Sequence, residues 1–138
     1  MGEFKVSGEF KYYKLSEAEK VKIMDLLTAR LVQEEDIIFA YLHGSFLERE
    51  RFKDVDVAVW ASGEVDPLHY AVDLSVKVGA GLGVPLDTHA LNDASLPIKY
   101  HVLVKGRPIF CRDDKLRLRL IDETIRQYLD LKLLRSNK

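Results

Sequence analysis

The chain is poor in cysteine and in long apolar runs, and each shortage excludes a class of protein. Its single cysteine, Cys111, rules out a disulfide framework within the chain and a zinc site built from several cysteines. No run approaches the roughly 18 apolar residues that a membrane span needs. Residues 1–14 carry charges where a secretory signal peptide has an apolar stretch. These absences predict a soluble protein of the reducing cytoplasm that has no membrane partner.

The charge is small in total but unevenly distributed. Up to residue 98 there are 17 acidic and 10 basic residues, whereas from residue 99 onward there are 5 acidic and 11 basic ones, so that a net charge of −1 conceals an acidic part and a basic part. A basic segment can bind nucleic acid, but it is more often the solvated face of a helix. We therefore expect no direct binding of nucleic acid.

The hydrophobic pattern of the 138 residues predicts one α/β domain with a small mixed β-sheet flanked by helices. We expect residues 15–138 to form this domain and residues 1–14 to form an N-terminal extension or hairpin. The predicted strands are residues 37–42, buried on both faces, then 54–60, 84–91 and an edge strand at 109–111. The predicted helices are 16–33, 66–80 and 114–134, with a short helix as one interpretation of 96–105.

Two of the predicted helices carry apolar residues at helical spacing. In the first helix these are Val21, Met24, Leu27, Leu31 and Val32, and in the last they are Leu118, Ile121, Ile125, Tyr128 and Leu129. Ser16 and Glu19 form a capping-box pattern at the start of the first helix. We expect each apolar set to face the core.

Two carboxylates stand two residues apart at the second predicted strand. Asp54 and Asp56 would point to the same side of that strand, where their like charges repel. A divalent metal ion relieves this repulsion, and Mg²⁺ commonly binds one or two carboxylates together with substrate phosphates. Asp87, on the next strand, would complete a site for two metal ions. The alternative is that the pair lines a solvent-facing strand.

A Gly-Ser pair precedes these carboxylates. Gly44 and Ser45 follow the buried strand 37–42 after His43. Glycine lets the backbone approach a phosphate closely, and a strand followed by a short helix can direct N–H groups and a hydroxyl at an anion. The alternative is an ordinary turn with a helix N-cap.

The order of these features resembles the DNA polymerase β-like nucleotidyltransferase superfamily, whose signature is a Gly-Ser turn followed about ten residues later by Asp-x-Asp. From about residue 20 onward the chain looks closest to the minimal nucleotidyltransferases, called MNT or MntA. Residues 86–87 and 91–94 are similar to that family's third-aspartate segment, and residues 128–132 resemble its closing helix.

The resemblance implies a role for each matching residue. Gly44 and Ser45 would hold the nucleotide phosphates, Asp54 and Asp56 would bind Mg²⁺, and Asp87 would act as a metal ligand or as a base toward the accepting hydroxyl. The implied reaction, with two Mg²⁺ ions, transfers AMP from ATP to a tyrosine of a partner HEPN ribonuclease. The chain would then be the antitoxin of a toxin-antitoxin pair.

Three other patterns favour structural roles or leave alternatives open. Gly79-x-Gly81-x-Gly83 follows a helix and precedes a strand, the reverse of a dinucleotide-binding motif, so it indicates a helix end. His43 and His89 lie near the candidate site, but packing is favoured over substrate contact. Leu129, Leu131, Leu133 and Leu134 give the last helix more apolar surface than one buried stripe uses, so contact with a partner or a second copy as a homodimer stands beside simple packing.

Two rival functions remain at this point. One is an antitoxin that only binds its partner and carries a vestigial site. The other is a nucleotidyltransferase acting on a small molecule or RNA, which is less favoured because such relatives usually carry a further domain for the acceptor.

Overall fold

The computed structural model describes residues 3–6 and 10–136, with side chains from residue 12 onward. The elements in chain order are β1 (Glu3–Val6), β2 (Phe10–Lys14), α1 (Glu17–Val32), β3 (Ile37–His43), α2 (Ser45–Glu48), β4 (Arg51–Phe52), β5 (Val55–Ala61), α3 (Pro67–Gly79), β6 (Leu86–Ala90), α4 (Leu96–Tyr100), a π-helix (His101–Lys105), β7 (Arg107–Cys111) and α5 (Asp114–Ser136).

The main sheet has four strands in the order β6-β5-β3-β7. β5 and β6 are parallel, whereas β3 is antiparallel to both β5 and β7. The two central strands, β3 and β5, are buried almost throughout. The burial of β3 follows from its continuous apolar sequence, whereas β5 carries Asp56 among its apolar residues. β7 lies at the edge and carries Pro108, which lacks the N–H that an inner strand would use. The predicted α/β fold with a small mixed sheet is confirmed.

Helices cover both faces of this sheet. On one face, Leu27 and Leu31 of α1 and Leu74 of α3 belong to a core that includes the valines of β5. On the other face, Phe39 and Tyr41 of β3 belong to a core that includes residues of the π-helix. The chemistry-bearing side chains described below lie at one end of this second face.

The buried stripe of α1 differs from the predicted one. The capping box of Ser16 and Glu19 forms as expected. Leu27 and Leu31 are buried, but Val21 and Val32 are exposed, and Ile23 is buried instead. The buried positions 23, 27 and 31 are spaced four residues apart and form one row along the helix. This row is narrower than the predicted apolar stripe, because α1 packs against a single face of the sheet.

A second, three-stranded sheet, in the order β1-β2-β4, lies outside the main one. β1 and β2 form the expected antiparallel hairpin, whose connection at residues 7–9 lies outside the described residues. β4 was not predicted: it pairs with β2, and the rings of Tyr13 and Phe52 stack with centroids 5.8 Å apart. This pairing attaches the hairpin to the segment that joins the Gly-Ser turn to Asp54.

The predicted closing helix forms as α5, and the ambiguous segment before it is helical. Tyr100 of α4 stacks on Tyr128 of α5 with ring centroids 3.8 Å apart. Leu118 and Leu129 were expected in the core but are exposed, and the buried residue of α5 is Thr124. None of the helices in the described part of the chain has the length and apolar composition that spanning a membrane requires.

Candidate functional site

The Gly-Ser turn and the Asp-x-Asp segment meet at Gly44. This residue has a φ of 83° and lies between the end of β3 and the start of α2. A Cβ atom added to Gly44 would lie 2.3 Å from Oδ2 of Asp56. Both the backbone angle and this contact exclude a side chain. Glycine at this position therefore allows the Asp56 carboxylate to lie directly against the turn.

The short helix after the turn is fixed at both ends. The backbone N–H groups of Leu47 and Glu48 donate to the Gly44 carbonyl at 3.1 Å. Lys20 of α1 donates to the carbonyls of Phe46 and Arg49 at 3.3 and 3.2 Å. Ser45, the first residue of α2, is partly buried beside Gly44. These bonds therefore fix Ser45 directly after Gly44 at the start of α2.

Strand register places the acidic side chains side by side. Asp56 of β5 is opposite His43 in β3 and opposite Asp87 in β6. Residues opposite each other on neighbouring strands point to the same face of the sheet. His89 lies two residues after Asp87 and shares that face. The sheet therefore brings the predicted residues Asp56 and Asp87 together.

His89 completes a three-residue group with these carboxylates, which we call the Asp-His cluster (Asp56, Asp87, His89). Its Nε2 atom lies 3.1 Å from Oδ2 of Asp87 and 3.9 Å from Oδ1 of Asp56. One potential ligand atom from each residue lies within 4.8 Å of the other two. Contact with Asp56 and the charge of Asp87 raise the pKa of His89, while partial burial opposes them.

The predicted packing role of His89 is wrong, because half of its side chain is exposed and its nitrogen faces carboxylates. Its position two residues after Asp87 on the same strand places it near the candidate site in the sequence, but does not show that its nitrogen faces two carboxylates.

Asp54 lies just outside the strand on which it was expected. The structure places it in a bend directly before β5, partly buried, and outside the Asp-His cluster. Burial raises the pKa of the Asp54 carboxyl, and the negative charges of Asp56 and Asp87 raise it further. Asp54 is therefore near enough to Asp56 and Asp87 for their negative charges to act on it.

His43 borders the site on its other side. Burial lowers the pKa of its imidazole, although the charge of Asp56 opposes that effect. Its ring centroid is 5.8 Å from that of His89, and its buried Nε2 atom has no hydrogen-bond partner within the part of the chain that the structure describes. His43 therefore places a buried polar nitrogen beside the site.

The donors at this end of the sheet fit a divalent cation. Carboxylate oxygens from neighbouring strands are the ligands that Mg²⁺ prefers, and a cation would relieve the repulsion that raises the pKa of Asp54. Gly44 leaves the space above Asp56 free of a side chain, so an anion bound to such a cation could approach the backbone there.

Comparison with known protein families shows to which family the chain belongs. The sequence model described as polymerase β, nucleotidyltransferase matches residues 16–115, which include every candidate residue named above. The chain belongs to the polymerase β nucleotidyltransferase family. No curated protein matches the sequence.

Solved structures resemble this nucleotidyltransferase over most of its length. A chain of the toxin-antitoxin MntA-HepT crystal structure is 22% identical and has a TM-score of 0.61, covering 88% of this chain and 94% of that one. A chain of the tri-AMPylated Shewanella oneidensis HEPN toxin in complex with MNT antitoxin is 23% identical and has a TM-score of 0.62, covering 89% and 94%.

A third structure, of a toxin-antitoxin with AMP-PNP, contains a chain that is 22% identical and has a TM-score of 0.63, covering 89% of this chain and 94% of that one. At these identities the likeness shows the fold. This nucleotidyltransferase therefore has the fold of these toxin-antitoxin chains, as the resemblance to minimal nucleotidyltransferases implied.

Proposed function

We propose that this protein is a Mg²⁺-dependent nucleotidyltransferase that moves AMP from ATP onto a hydroxyl of a HEPN-type toxin and thereby acts as its antitoxin. The observation that carries the proposal is the contact between Gly44 and Asp56, with Asp87 directly opposite on β6. Membership of the nucleotidyltransferase family supports the reaction class. The similar structure that holds a tri-AMPylated HEPN toxin supports AMP as the transferred group and a HEPN protein as the acceptor.

Each residue has a defined role in this proposal. Gly44 and Ser45 hold the β- and γ-phosphates of ATP, because the turn offers backbone without a side chain. Asp54, Asp56 and Asp87 hold Mg²⁺, two ions being expected. When bound, the ions would neutralise charge on the phosphates and lower the pKa of the attacking hydroxyl. Asp87 lies on β6, one strand further from the Gly-Ser turn than Asp56, so it faces the acceptor.

The bond changes follow from this arrangement. The acceptor hydroxyl oxygen forms a bond to the α-phosphorus, and the bond from that phosphorus to the bridging oxygen breaks. Pyrophosphate leaves with its electron pair, and the hydroxyl proton passes to Asp87 or to water beside it. The chain itself contributes positioning and charge.

The product explains how the reaction would neutralise a toxin. An added AMP introduces a phosphodiester charge and the bulk of a nucleoside at the modified residue. On the RNA-binding surface of a ribonuclease, both would oppose the binding of RNA. The single Cys111 suits the reducing cytoplasm, where such a pair would act.

The direct test is incubation of the protein with α-labelled ATP, Mg²⁺ and each HEPN-type protein encoded in the same genome. The wild-type protein should label one of them. Asp56→Asn should reduce the rate by about a hundredfold or more, because it removes a charged ligand of the Mg²⁺ ions that neutralise the phosphates. A matched control is Asp25→Asn on the exposed surface of α1, which should label at the wild-type rate.

A second candidate function is an antitoxin that binds without catalysis. The observation that favours it is the exposed apolar end of α5, where Leu129, Leu133 and Leu134 are solvent-accessible and can contact a partner or a second copy. This alternative gains support if a stable complex forms with the HEPN protein and no label is transferred. Labelling that survives Asp56→Asn would instead refute the metal-ligand assignment.

A further inference from the structure

The segment that joins the Gly-Ser turn to Asp54 has little regular structure of its own. It consists of residues 46–53, which we call the connecting segment, and its regular elements are the end of α2 and the two residues of β4. A helix of four residues and a strand of two are too short to be stable alone. Contacts from other parts of the chain must therefore fix the connecting segment.

The two phenylalanines of the connecting segment pack against the N-terminal hairpin, which is formed by β1 and β2. The rings of Phe46 and Phe52 meet edge to face with centroids 4.8 Å apart. Tyr13 of β2 is opposite Phe52 in the β2–β4 pairing and stacks on its ring. All three side chains are buried. Aromatic pairs of this kind stabilise beyond the area that they bury, so the hairpin holds the second half of the connecting segment.

Lys20 of α1 holds the connecting segment from another side. Its ammonium group, which donates to the carbonyls of Phe46 and Arg49, also lies 5.3 Å from the centroid of the Phe46 ring and 5.8 Å from that of Phe52. Hydrogen bonds from a charged donor are stronger than neutral ones, and a cation is attracted to the face of an aromatic ring. One side chain thus contacts both halves of the connecting segment.

The position of the connecting segment determines how the Gly-Ser turn faces the carboxylates. Gly44 and Ser45 directly precede the segment, and Asp54 directly follows it. A shift of the segment would therefore move the turn relative to the proposed metal ligands. The hairpin that holds the segment lies before residues 16–115, which match the nucleotidyltransferase family, so family membership assigns it no role.

We propose that the N-terminal hairpin and Lys20 position the phosphate-binding turn. Tyr13 and Lys20 fix the connecting segment so that Gly44 and Ser45 meet the β- and γ-phosphates of ATP. The inference rests on the proposed function and adds to it two positioning residues outside the site. Both residues act through the connecting segment and not on the substrate.

Binding of two ligands to Lys20→Met tests the proposal. The substitution keeps an unbranched apolar side chain and removes the ammonium group. In NMR titrations with Mg²⁺ present, we expect it to weaken tripolyphosphate binding by about tenfold and to leave AMP binding unchanged, because AMP has no β- and γ-phosphates. Lys20→Arg keeps the charge and the donors, so it should restore most of the affinity for tripolyphosphate.

The control is Lys22→Met, at an exposed position of the same helix, which should bind both ligands as the wild type does. Equal weakening of tripolyphosphate and AMP by Lys20→Met would indicate a general loss of structure and would overturn the positioning role. Unchanged binding of both ligands would overturn it as well.

Tyr13→Leu tests the contribution of the hairpin. It removes the stacking on Phe52 and keeps an apolar side chain, so we expect it to weaken tripolyphosphate binding by about threefold or more, again with AMP binding unchanged. Tyr100→Leu is the matched control, because it removes an aromatic stack, that with Tyr128, outside the connecting segment. Equal effects of Tyr13→Leu and Tyr100→Leu on tripolyphosphate binding would exclude a role of the hairpin.

Amide hydrogen exchange separates failure of this inference from failure of the proposed function, because it needs no ligand. The N–H groups of Leu47 and Glu48, which donate to the Gly44 carbonyl, should exchange about tenfold faster in Lys20→Met than in the wild type or in Lys22→Met. If the wild type binds neither tripolyphosphate nor ATP, the proposed function fails, and exchange still tests whether Lys20 fixes the segment. Unchanged exchange at Leu47 and Glu48 would overturn the inference.

Discussion

At the scale of single residues, Gly44 decides whether the phosphate turn and the carboxylates can meet. We predict that Gly44→Ala lowers the transfer rate by about a hundredfold or more, because its Cβ would displace the Asp56 carboxylate. Alanine is also disfavoured at the Gly44 φ of 83°, so the substitution should lower the free energy of unfolding by roughly 1–3 kcal/mol. Transfer kinetics and urea denaturation measure the two effects.

Gly63→Ala is the matched control for this change, because no atom lies within 4 Å of the position of its added Cβ. It should leave both quantities near the wild-type values. A Gly44→Ala protein with normal activity would show that Asp56 does not need its place against the turn.

The raised pKa of Asp54 can be tested through its effect on the stability of the protein. Its pKa is raised above the ordinary value of 3.8, so the folded protein binds this proton more tightly than the unfolded chain does. The stability of the metal-free protein should therefore fall as the pH rises upward from about 3.8. Asp54→Asn removes this loss and should unfold at a higher temperature than wild type in chelator at pH 7.

Added Mg²⁺ should reverse the order of these two proteins. It binds the folded wild type and raises its unfolding temperature, and it should raise that of Asp54→Asn less. Thermal unfolding in chelator and in Mg²⁺ measures both differences, with the exposed Asp25→Asn as control. Equal Mg²⁺ responses in all three proteins would contradict the role of Asp54 as a ligand.

The residue types of the site could be predicted from the sequence, but their distances could not. Gly44, Asp56 and Asp87 follow from a buried strand, a glycine and two later acidic positions. The contact of Gly44 with Asp56 depends on the register of β3 against β5, which local sequence does not determine. The approach of His89 to Asp56 depends in the same way on the register of β6 against β5.

At the scale of elements, Gly106 joins the π-helix to β7, which begins beside Leu42 of β3. Its N–H donates to the Val102 carbonyl at 2.9 Å, and an added Cβ would lie 2.5 Å from that oxygen and 3.0 Å from the Leu42 carbonyl. A π-helical turn inside a helical segment is frequently associated with function. Here it lets the chain leave the helix close to β3.

We predict that Gly106→Ala lowers the free energy of unfolding by about 1–3 kcal/mol, because both neighbouring atoms are backbone and cannot rotate away. Urea denaturation measures this cost, with Gly63→Ala again as the comparison. A loss below about 0.5 kcal/mol, the size of an ordinary surface change, would show that the π-helix can move away from β3 freely.

The elements that the sequence predicted well are those with long, regular patterns. The limits of α1, α3 and α5 lie within two residues of those expected, because caps and helical spacing specify them locally. β4 was missed because its two residues are a strand only through pairing with β2. The exposure of Val21 and Val32 depends on which elements pack against α1, which its own spacing does not reveal.

At the scale of the whole molecule, acidic and basic residues are unevenly distributed along the chain. The candidate site lies in the acidic part, and the closing helix lies in the basic part. The proposed metal ligands belong to the acidic part. Several arginines of the basic part bond within the chain: Arg112 donates to the Ile37 carbonyl, and Arg117 donates to the Tyr41 hydroxyl at 2.9 Å. On α5, Arg126 pairs with Asp122 at 3.1 Å. These three arginines therefore have partners within the chain.

The central claim concerns which bond of ATP is broken, and one measurement tests it most directly. Wild-type protein, Mg²⁺ and the HEPN acceptor are incubated in parallel with α-labelled and γ-labelled ATP. We predict that only the α-label enters the acceptor, that the γ-label is released as pyrophosphate, and that neither enters with Asp56→Asn. Transfer of the γ-label, or α-labelling that persists with Asp56→Asn, would contradict the assignment of this site as a nucleotidyltransferase.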